Sequence, residues 1–272
     1  MDLGAYLARI GHDRPVRPDL ATLKAIHRAH LFAIPYENLD VRLGRPVGLG
    51  LDHAFDKLVT RRRGGWCYEM NGLLGWALGE IGFSVTRLSG AVMRAERGDA
   101  SLGNHLVLKV DLEDGAWIAD TGLGDGLTEP IPLREGAYRV AGYDFRLERL
   151  DPDWWRLHNH EMGGAKSFDF TLAPADPEPM AAMCDWLATS PESIFTQAVM
   201  AYRFTPSQIV MLLGRVVRRV TPGRRADHLI DGADELVGLL RAEFGLDVPE
   251  AASLWPDICA THEKLYPAEA CD

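Results

Sequence analysis

Cysteine is scarce in this sequence: four residues in 272, Cys67, Cys184, Cys259 and Cys271, with no C-x-x-C pair among them. That spacing argues against a disulfide framework and against a four-thiolate zinc site, so free thiols are expected. Long apolar runs are missing; none approaches the roughly 18 residues that a membrane-spanning helix needs. The opening MDLGAYLARIGHDRP lacks the basic-then-apolar order of a secretion signal. Positive charge is outnumbered, 29 Lys and Arg against 39 Asp and Glu, for a formal net charge of -10. Such a chain repels phosphate backbones and anionic membranes on average. There is no internal repeat and no low-complexity tract. These absences predict a cytoplasmic protein with no nucleic-acid partner and no membrane partner.

What is present is enough apolar material, 47% of residues, to bury a sizeable core. The first third reads as helical. Leu20, Leu23, His27, His30 and Leu31 recur at helical spacing behind Asp19 as an N-cap, and His27 and His30 read as packing residues. A second helix starts near Cys67, with Leu74, Leu78 and Ile81 in one stripe. From Ser84 the rhythm changes to strands. HLVLKVDL, a turn at Glu113-Asp114-Gly115 and AWIAD read as a β-hairpin. Further strand-like segments cover 137–150 and 154–158. The proline-rich stretch 173–179 reads as a loop crossing the surface. SQIVMLLGRVVRRVT reads as two strands parted near Gly214, and DGADELVGLLRAEFGL as one amphipathic helix ending near Gly245. Helices, then strands, then a mixed unit make an α+β arrangement and not a regular βαβ alternation.

The most informative segment is 61–71, RRRGGWCYEMN. A cysteine is nucleophilic as its thiolate. Two features here would lower the pKa of Cys67: the start of a helix, and the arginines four to six residues earlier. Gly64 and Gly65 would let the backbone approach a substrate closely. The other cysteines have no such setting and read as structural. For a base, the hairpin offers His105, the first residue of one strand. The register leaves its partner between Asp120 and Leu123, so imidazole and carboxylate lie at the same end of adjacent strands. A carboxylate so placed fixes the tautomer and orientation of a histidine. Taken singly, Asp120 reads as the start of an Asp-Thr-Gly turn and His105 as a half-buried strand residue; it is their pairing across the hairpin that points to chemistry. His158 and His160 lack a third ligand at metal-binding spacing. Asp151, Asp153 and Asp169 read as turn or solvent residues. The loop 122–126 is glycine-rich but no Gly-Lys-Ser/Thr follows, so it is not a P-loop.

These residues resemble a known family. RGGWCYEMN over 63–71 is similar to the Arg-Gly-Gly-aromatic-Cys-aromatic-Glu-x-Asn signature of the arylamine N-acetyltransferases. LFAIPYENLD at 31–40, Asn104-His105 before alternating aliphatics, Asp120-Thr121-Gly122-Leu123-Gly124, PESIF at 191–195, and 235–245 followed by Trp255 resemble further family segments in the same order. The resemblance implies a cysteine-proteinase-like core: an N-terminal helical bundle (1–83), a central antiparallel β-barrel (84–190) and a C-terminal α/β lid (191–272). It implies a ping-pong reaction with acetyl-CoA as co-substrate and no metal. Cys67 would be the nucleophile, His105 the proton carrier and Asp120 its orienting carboxylate. The acceptor would be an arylamine, arylhydrazine or N-hydroxyarylamine. Tyr36, Tyr68, Val92, Leu123 and Phe195 would form its pocket, and Gly122, Gly124 and Gly126 would lie near the coenzyme A thiol. Leu123 stands where the family usually has phenylalanine and Thr121 where valine is common. Two other chemistries fit the same triad: a macrolactam-forming amide synthase of this fold, and a cysteine hydrolase with water as acceptor.

Overall fold

The computed structural model describes residues 1–265. Helix α1 (Leu3–Ile10) lies against α2 (Leu20–Ala33), where Asp19 accepts the Thr22 N–H at 2.8 Å and so caps the helix. Leu23, Ile26, His27, His30 and Leu31 make the buried face of α2 at three- and four-residue spacing. A two-residue strand β1 (Tyr36–Glu37) follows, then short helices α3 (Leu39–Arg42) and α4 (Leu51–Phe55) and a π-helical turn over Asp56–Thr60. Helix α5 (Cys67–Ile81) is next, and its first nine residues are all buried. A helix covered all round is a central one, and α5 packs on α1, α2 and the strands that follow.

Strand β2 (Ser84–Val92) is one continuous strand, followed by the single turn α6 (Arg94–Arg97). Strands β3 (His105–Leu112) and β4 (Gly115–Ala119) form the expected hairpin, with Leu108 opposite Ala119 and Leu112 opposite Gly115. Then come β5 (Ile131–Pro132), β6 (Gly136–Val140), β7 (Tyr143–Arg149), β8 (Trp154–His158) and β9 (Ser167–Pro174). These eight antiparallel strands join in the order β5-β4-β3-β2-β9-β8-β7-β6 as a barrel-like sheet around Val107, Phe145, Trp155, Phe168 and Phe170. The expected surface loop at 173–179 is corrected. Its first residues end β9, and Pro177 opens helix α7 (Pro177–Thr189), where Asp176 accepts the Glu178 N–H. Proline suits a first helical turn, whose N–H groups have no helical partner. Asp169 is corrected as well. It sits in β9 fully buried, held by Arg156 at 2.6 and 2.8 Å and by Arg94 at 3.4 Å.

After a short helix α8 (Ile194–Gln197) the chain forms β10 (Met200–Phe204), β11 (Ile209–Leu213), β12 (Val216–Thr221) and β13 (Arg224–Leu229). They build a second antiparallel sheet, and β1 joins its edge beside β10. Helix α9 (Ala233–Phe244), ending at Gly245 as expected, lays Leu236, Leu240 and Phe244 on Val210, Leu212 and Val217. Helix α10 (Trp255–Leu265) closes the described chain. Among the described residues no helix is long and apolar enough to cross a membrane. Cys67 and Cys184 are free thiols, whereas Cys259 is disulfide-bonded, contrary to the expectation of free thiols throughout. Cys271 lies outside the described residues.

Candidate active site

The start of α5, the ends of β2 and β3, the loop after β4, and the segment from α7 to β10 surround a cavity of about 270 Å³. Cys67 and His105 both line it. Cys67 is the first residue of α5, where unpaired backbone N–H groups favour negative charge. Its Sγ lies 3.7 Å from the Asn104 carbonyl, and the residue is 2% exposed. His105 opens β3, and its Nε2 meets Asp120 Oδ2 at 3.0 Å. Continuing the hairpin register past Leu108 and Ala119 sets His105 opposite Gly122, which makes Asp120 its diagonal neighbour on the same face. A proton on Nε2, facing the carboxylate, leaves Nδ1 as the basic nitrogen of the neutral ring.

Asp120 is fixed on every side. Oδ1 accepts from Asn71 Nδ2 at 2.6 Å and from the Gly122 N–H at 2.8 Å. Its backbone N–H donates to His27 Nε2 at 3.2 Å, which leaves the His27 proton on Nδ1 facing the Thr128 carbonyl at 3.3 Å. Burial by itself pushes the Asp120 carboxyl up, but His105, Asn71 and the Gly122 N–H together hold it below the ordinary carboxylate value. Asn71 is one helical turn beyond Cys67. It also accepts the Thr121 N–H at 2.8 Å and so ties nucleophile helix to carboxylate loop.

The thiol of Cys67 is pushed well above its ordinary value, first by burial, then by Cys184 and Asp120, against a weaker pull from the Tyr68 N–H. The expectation that the arginine cluster lowers it is corrected. Arg61 is exposed and pairs with Asp56 at 2.8 Å, and Arg62 is exposed. Arg63 points into the interior, bonding Glu37 at 2.8 Å and Asp40 at 3.2 Å. Beside it the buried Lys57 holds Glu69 at 2.8 Å and Asp40 at 3.2 Å. Glu69 in turn accepts the Trp66 N–H at 3.2 Å, the N3-to-N-cap contact of a capping box. This buried lattice of opposite charges anchors the helix end that carries Cys67. Its one signal in the sequence is the acid three positions after Trp66.

Of the expected acceptor residues, Tyr36, Val92, Leu123 and Phe195 line the cavity. Tyr68 does not. Its hydroxyl donates to the Gly103 carbonyl at 2.6 Å and its ring meets the edge of Trp66. Tyr202, which sequence reasoning missed, lines the cavity and stacks on Tyr36 with centroids 5.6 Å apart and planes within 15°. The paired glycines serve packing and not substrate approach: a Cβ on Gly64 would sit 2.3 Å from the Pro35 carbonyl, and one on Gly65 2.9 Å from Glu69 Oε2. In the later loop Gly122 lines the cavity, and a Cβ there would fall 2.9 Å from Cys67 Cα. Gly124 and Gly126 do not line it. Gly124 has φ +90° and leaves room for the Tyr202 ring, which a Cβ would meet at 2.2 Å. His158 bonds Glu148 at 2.7 Å, while His160 donates to the Asp125 carbonyl at 2.8 Å on a separate site. Among the described residues no three His, Cys, Asp or Glu side chains are grouped to hold a metal ion.

A family model described as N-acetyltransferase matches residues 19–253. The arylamine N-acetyltransferase of Mycolicibacterium smegmatis is 38% identical over 259 residues, covering 93% of this chain and 94% of that relative. Arylamine N-acetyltransferase 1 of Homo sapiens is 35% identical over 79% of this chain and 81% of its own. Among solved structures, the arylamine N-acetyltransferase of Mycobacterium marinum in complex with CoA superposes with a TM-score of 0.86 at 30% identity, covering 100% of both chains.

Proposed function

This chain belongs to the arylamine N-acetyltransferase family, and from that premise we propose that Cys67, His105 and Asp120 carry its acyl transfer. The donor is acetyl-CoA and the acceptor an arylamine, arylhydrazine or N-hydroxyarylamine. The observation that carries the reading is the His105–Asp120 bond at 3.0 Å, with His105 lining one cavity together with a cysteine at a helix start.

Burial opposes a lone thiolate, so the proton must leave Cys67 for a base that becomes its counter-ion. His105 Nδ1 takes it, and Asp120 stabilises the imidazolium through Nε2. The thiolate adds to the thioester carbonyl. The tetrahedral intermediate collapses by breaking the bond to coenzyme A sulfur, which leaves with the proton from His105. Acetyl-Cys67 remains. The amine nitrogen then attacks the same carbonyl, gives its proton to His105, and expels the Cys67 sulfur as the amide forms. Tyr36, Val92, Leu123 and Phe195 hold the acceptor ring, with Tyr202 as a second aromatic wall. A cavity of about 270 Å³ exceeds the ~150 Å³ apolar cavity that admits benzene. Gly122 keeps the carboxylate loop against α5. In this reading the helical part through residue 83, the barrel of 84–190 and the lid from 191 onward are the working units. The cavity draws residues from all three.

The test is mass analysis after mixing with acetyl-CoA and no amine. One acetyl group on Cys67, discharged by an added arylamine to the N-acetyl product, is expected. Rapid release of free acetate without amine would instead favour a hydrolase, and Cys67→Ser or His105→Ala retaining transfer would reject these roles.

A further inference from the structure

The cavity is apolar and aromatic except at a few points, and His105 and Asp125 are already engaged. His105 faces Asp120. Asp125 is 1% exposed, with one oxygen accepting the Gly164 N–H at 2.6 Å and the other Asn159 Nδ2 at 3.2 Å. The remaining lining charge is Arg97, the last residue of α6, which is exposed. Its neighbours are matched with one another. Arg94 pairs with Asp99 at 2.9 Å and Asp169 at 3.4 Å, and covers the Trp154 ring at 3.9 Å. Glu96 lies 3.9 Å from Lys166. Among the described residues no carboxylate pairs with Arg97.

A guanidinium left unmatched at the lip of an apolar cavity, on a chain of formal charge -10, is a local reversal of the protein's field. An anionic ligand meets net repulsion elsewhere and attraction here. The planar fork suits a carboxylate or a phosphate, and the apolar wall behind it raises the strength of the contact over that of an open surface pair. The backbone helps to fix the position: Met93, just before α6, has φ 62° and donates its N–H to the Ser167 carbonyl at 2.9 Å. That bond ties the α6 turn to β9.

We propose that Arg97 is an anion-recognition residue of the acyl-transfer cavity, taking a carboxylate or phosphate carried by one of the two ligands. The inference rests on the acetyltransferase reading and adds a ligand charge to it. The anion has two sources, a ring carboxylate on the acceptor or the phosphates of coenzyme A, and ping-pong kinetics separate them.

For the acceptor arm, kcat/KM is measured for 4-aminobenzoate and for its neutral ethyl ester. For the donor arm, it is measured for acetyl-CoA and for acetyl-pantetheine, which lacks the phosphates. Arg97→Gln is expected to lower one of the two charged-to-neutral ratios by about tenfold, Arg97→Lys to restore part of it, and added salt to lower the same ratio in the unmutated protein. A fall in the acceptor ratio assigns the carboxylate, and a fall in the donor ratio assigns the phosphates. Both ratios unchanged in Arg97→Gln would overturn the proposal, as would an equal loss for charged and neutral ligands. Failure of the unmutated protein to acetylate the neutral ester would instead count against the acyl-transfer reading.

Discussion

Asp120 accepts from an imidazole, an amide and a backbone N–H, and each partner restricts it differently. Asn71 does most to place it, because the same amide accepts the Thr121 N–H. Asn71→Ala strands that N–H and removes a donor from a buried carboxylate. Leaving such groups unmatched costs about 1–3 kcal/mol each, readable as a lower denaturant midpoint. With the carboxylate less fixed, kcat is expected to fall by about tenfold while the KM for acetyl-CoA changes less. Two other buried residues predict the acid response. Burial pushes His27 down to about 4 and His30 down to about 3. An unfolded histidine titrates near ~6.5, so below that value the unfolded chain binds protons that the folded chain refuses. Stability is therefore full above that range and is lost as pH falls toward the folded values. From about pH 6.5 to about pH 5 each histidine should remove ~2 kcal/mol, at ~1.4 kcal/mol per unit. Urea unfolding that gave equal stability at these two pH values would refute the assignment.

At the scale of elements, α5 depends on charges that arrive from elsewhere in the chain. Lys57 lies on the preceding π-helical turn, Glu37 on β1 and Asp40 on α3. Lys57→Met would leave Glu69 and Asp40 without their buried cation. Breaking one partner out of a buried pair costs about 3–5 kcal/mol, so a marked drop in melting temperature is expected. A melting temperature unchanged by the substitution would refute this, and would leave Asp40 to Arg63 at 3.2 Å and to Arg45 at 3.4 Å. Gly122→Ala tests the contact between the β4 loop and α5. Its Cβ would press on Cys67 Cα and the Cys67 carbonyl, which a helix backbone cannot yield easily. Because small misplacements of reacting groups are expensive, turnover should fall on the order of a hundredfold while the protein still folds. The start of α5 was legible in the sequence, since glycines stop before Cys67 and apolar residues run on after it. The role of the arginines was not legible: proximity along the chain suggested Cys67, whereas side-chain direction sends Arg63 the other way. β9 escaped notice because Ser167–Phe170 are buried on both faces, which erases the alternation of a half-buried strand.

On the scale of the molecule, the cavity is a meeting place. Tyr36 comes from β1, Val92 and His105 from the barrel-like sheet, and Phe195 and Tyr202 from the segment that builds the second sheet. β1 pairs with β10 so that Tyr36 stands opposite Tyr202, and this register stacks the two rings. Leu123 offers no ring, so these two tyrosines and Phe195 are the aromatic surfaces lining the cavity. Tyr202→Ala is expected to raise the KM for an arylamine several-fold, and to do so more than it slows acetylation of Cys67 by acetyl-CoA. An equal loss in both half-reactions would show that Tyr202 supports the fold and not the acceptor. Tyr68 makes the opposite point. Its place in the motif suggested the pocket, but its helical direction turns it to Gly103.

The sequence by itself determined what depends on neighbours along the chain: the capped helix behind Asp19, the start of α5, the hairpin that brings His105 beside Asp120, and the helix that stops at Gly245. Each follows from local periodicity, a cap or a turn, and those act over a few residues. Only the tertiary structure decided which charges meet under α5, that Tyr202 faces the cavity in place of Tyr68, and that Asp169 is buried. The charges meet across 12 to 26 positions, Asp169 is reached from Arg94 75 positions away, and Tyr36 meets Tyr202 from farther still along the chain; hydrophobic pattern carries no record of such pairings or of the direction of one side chain.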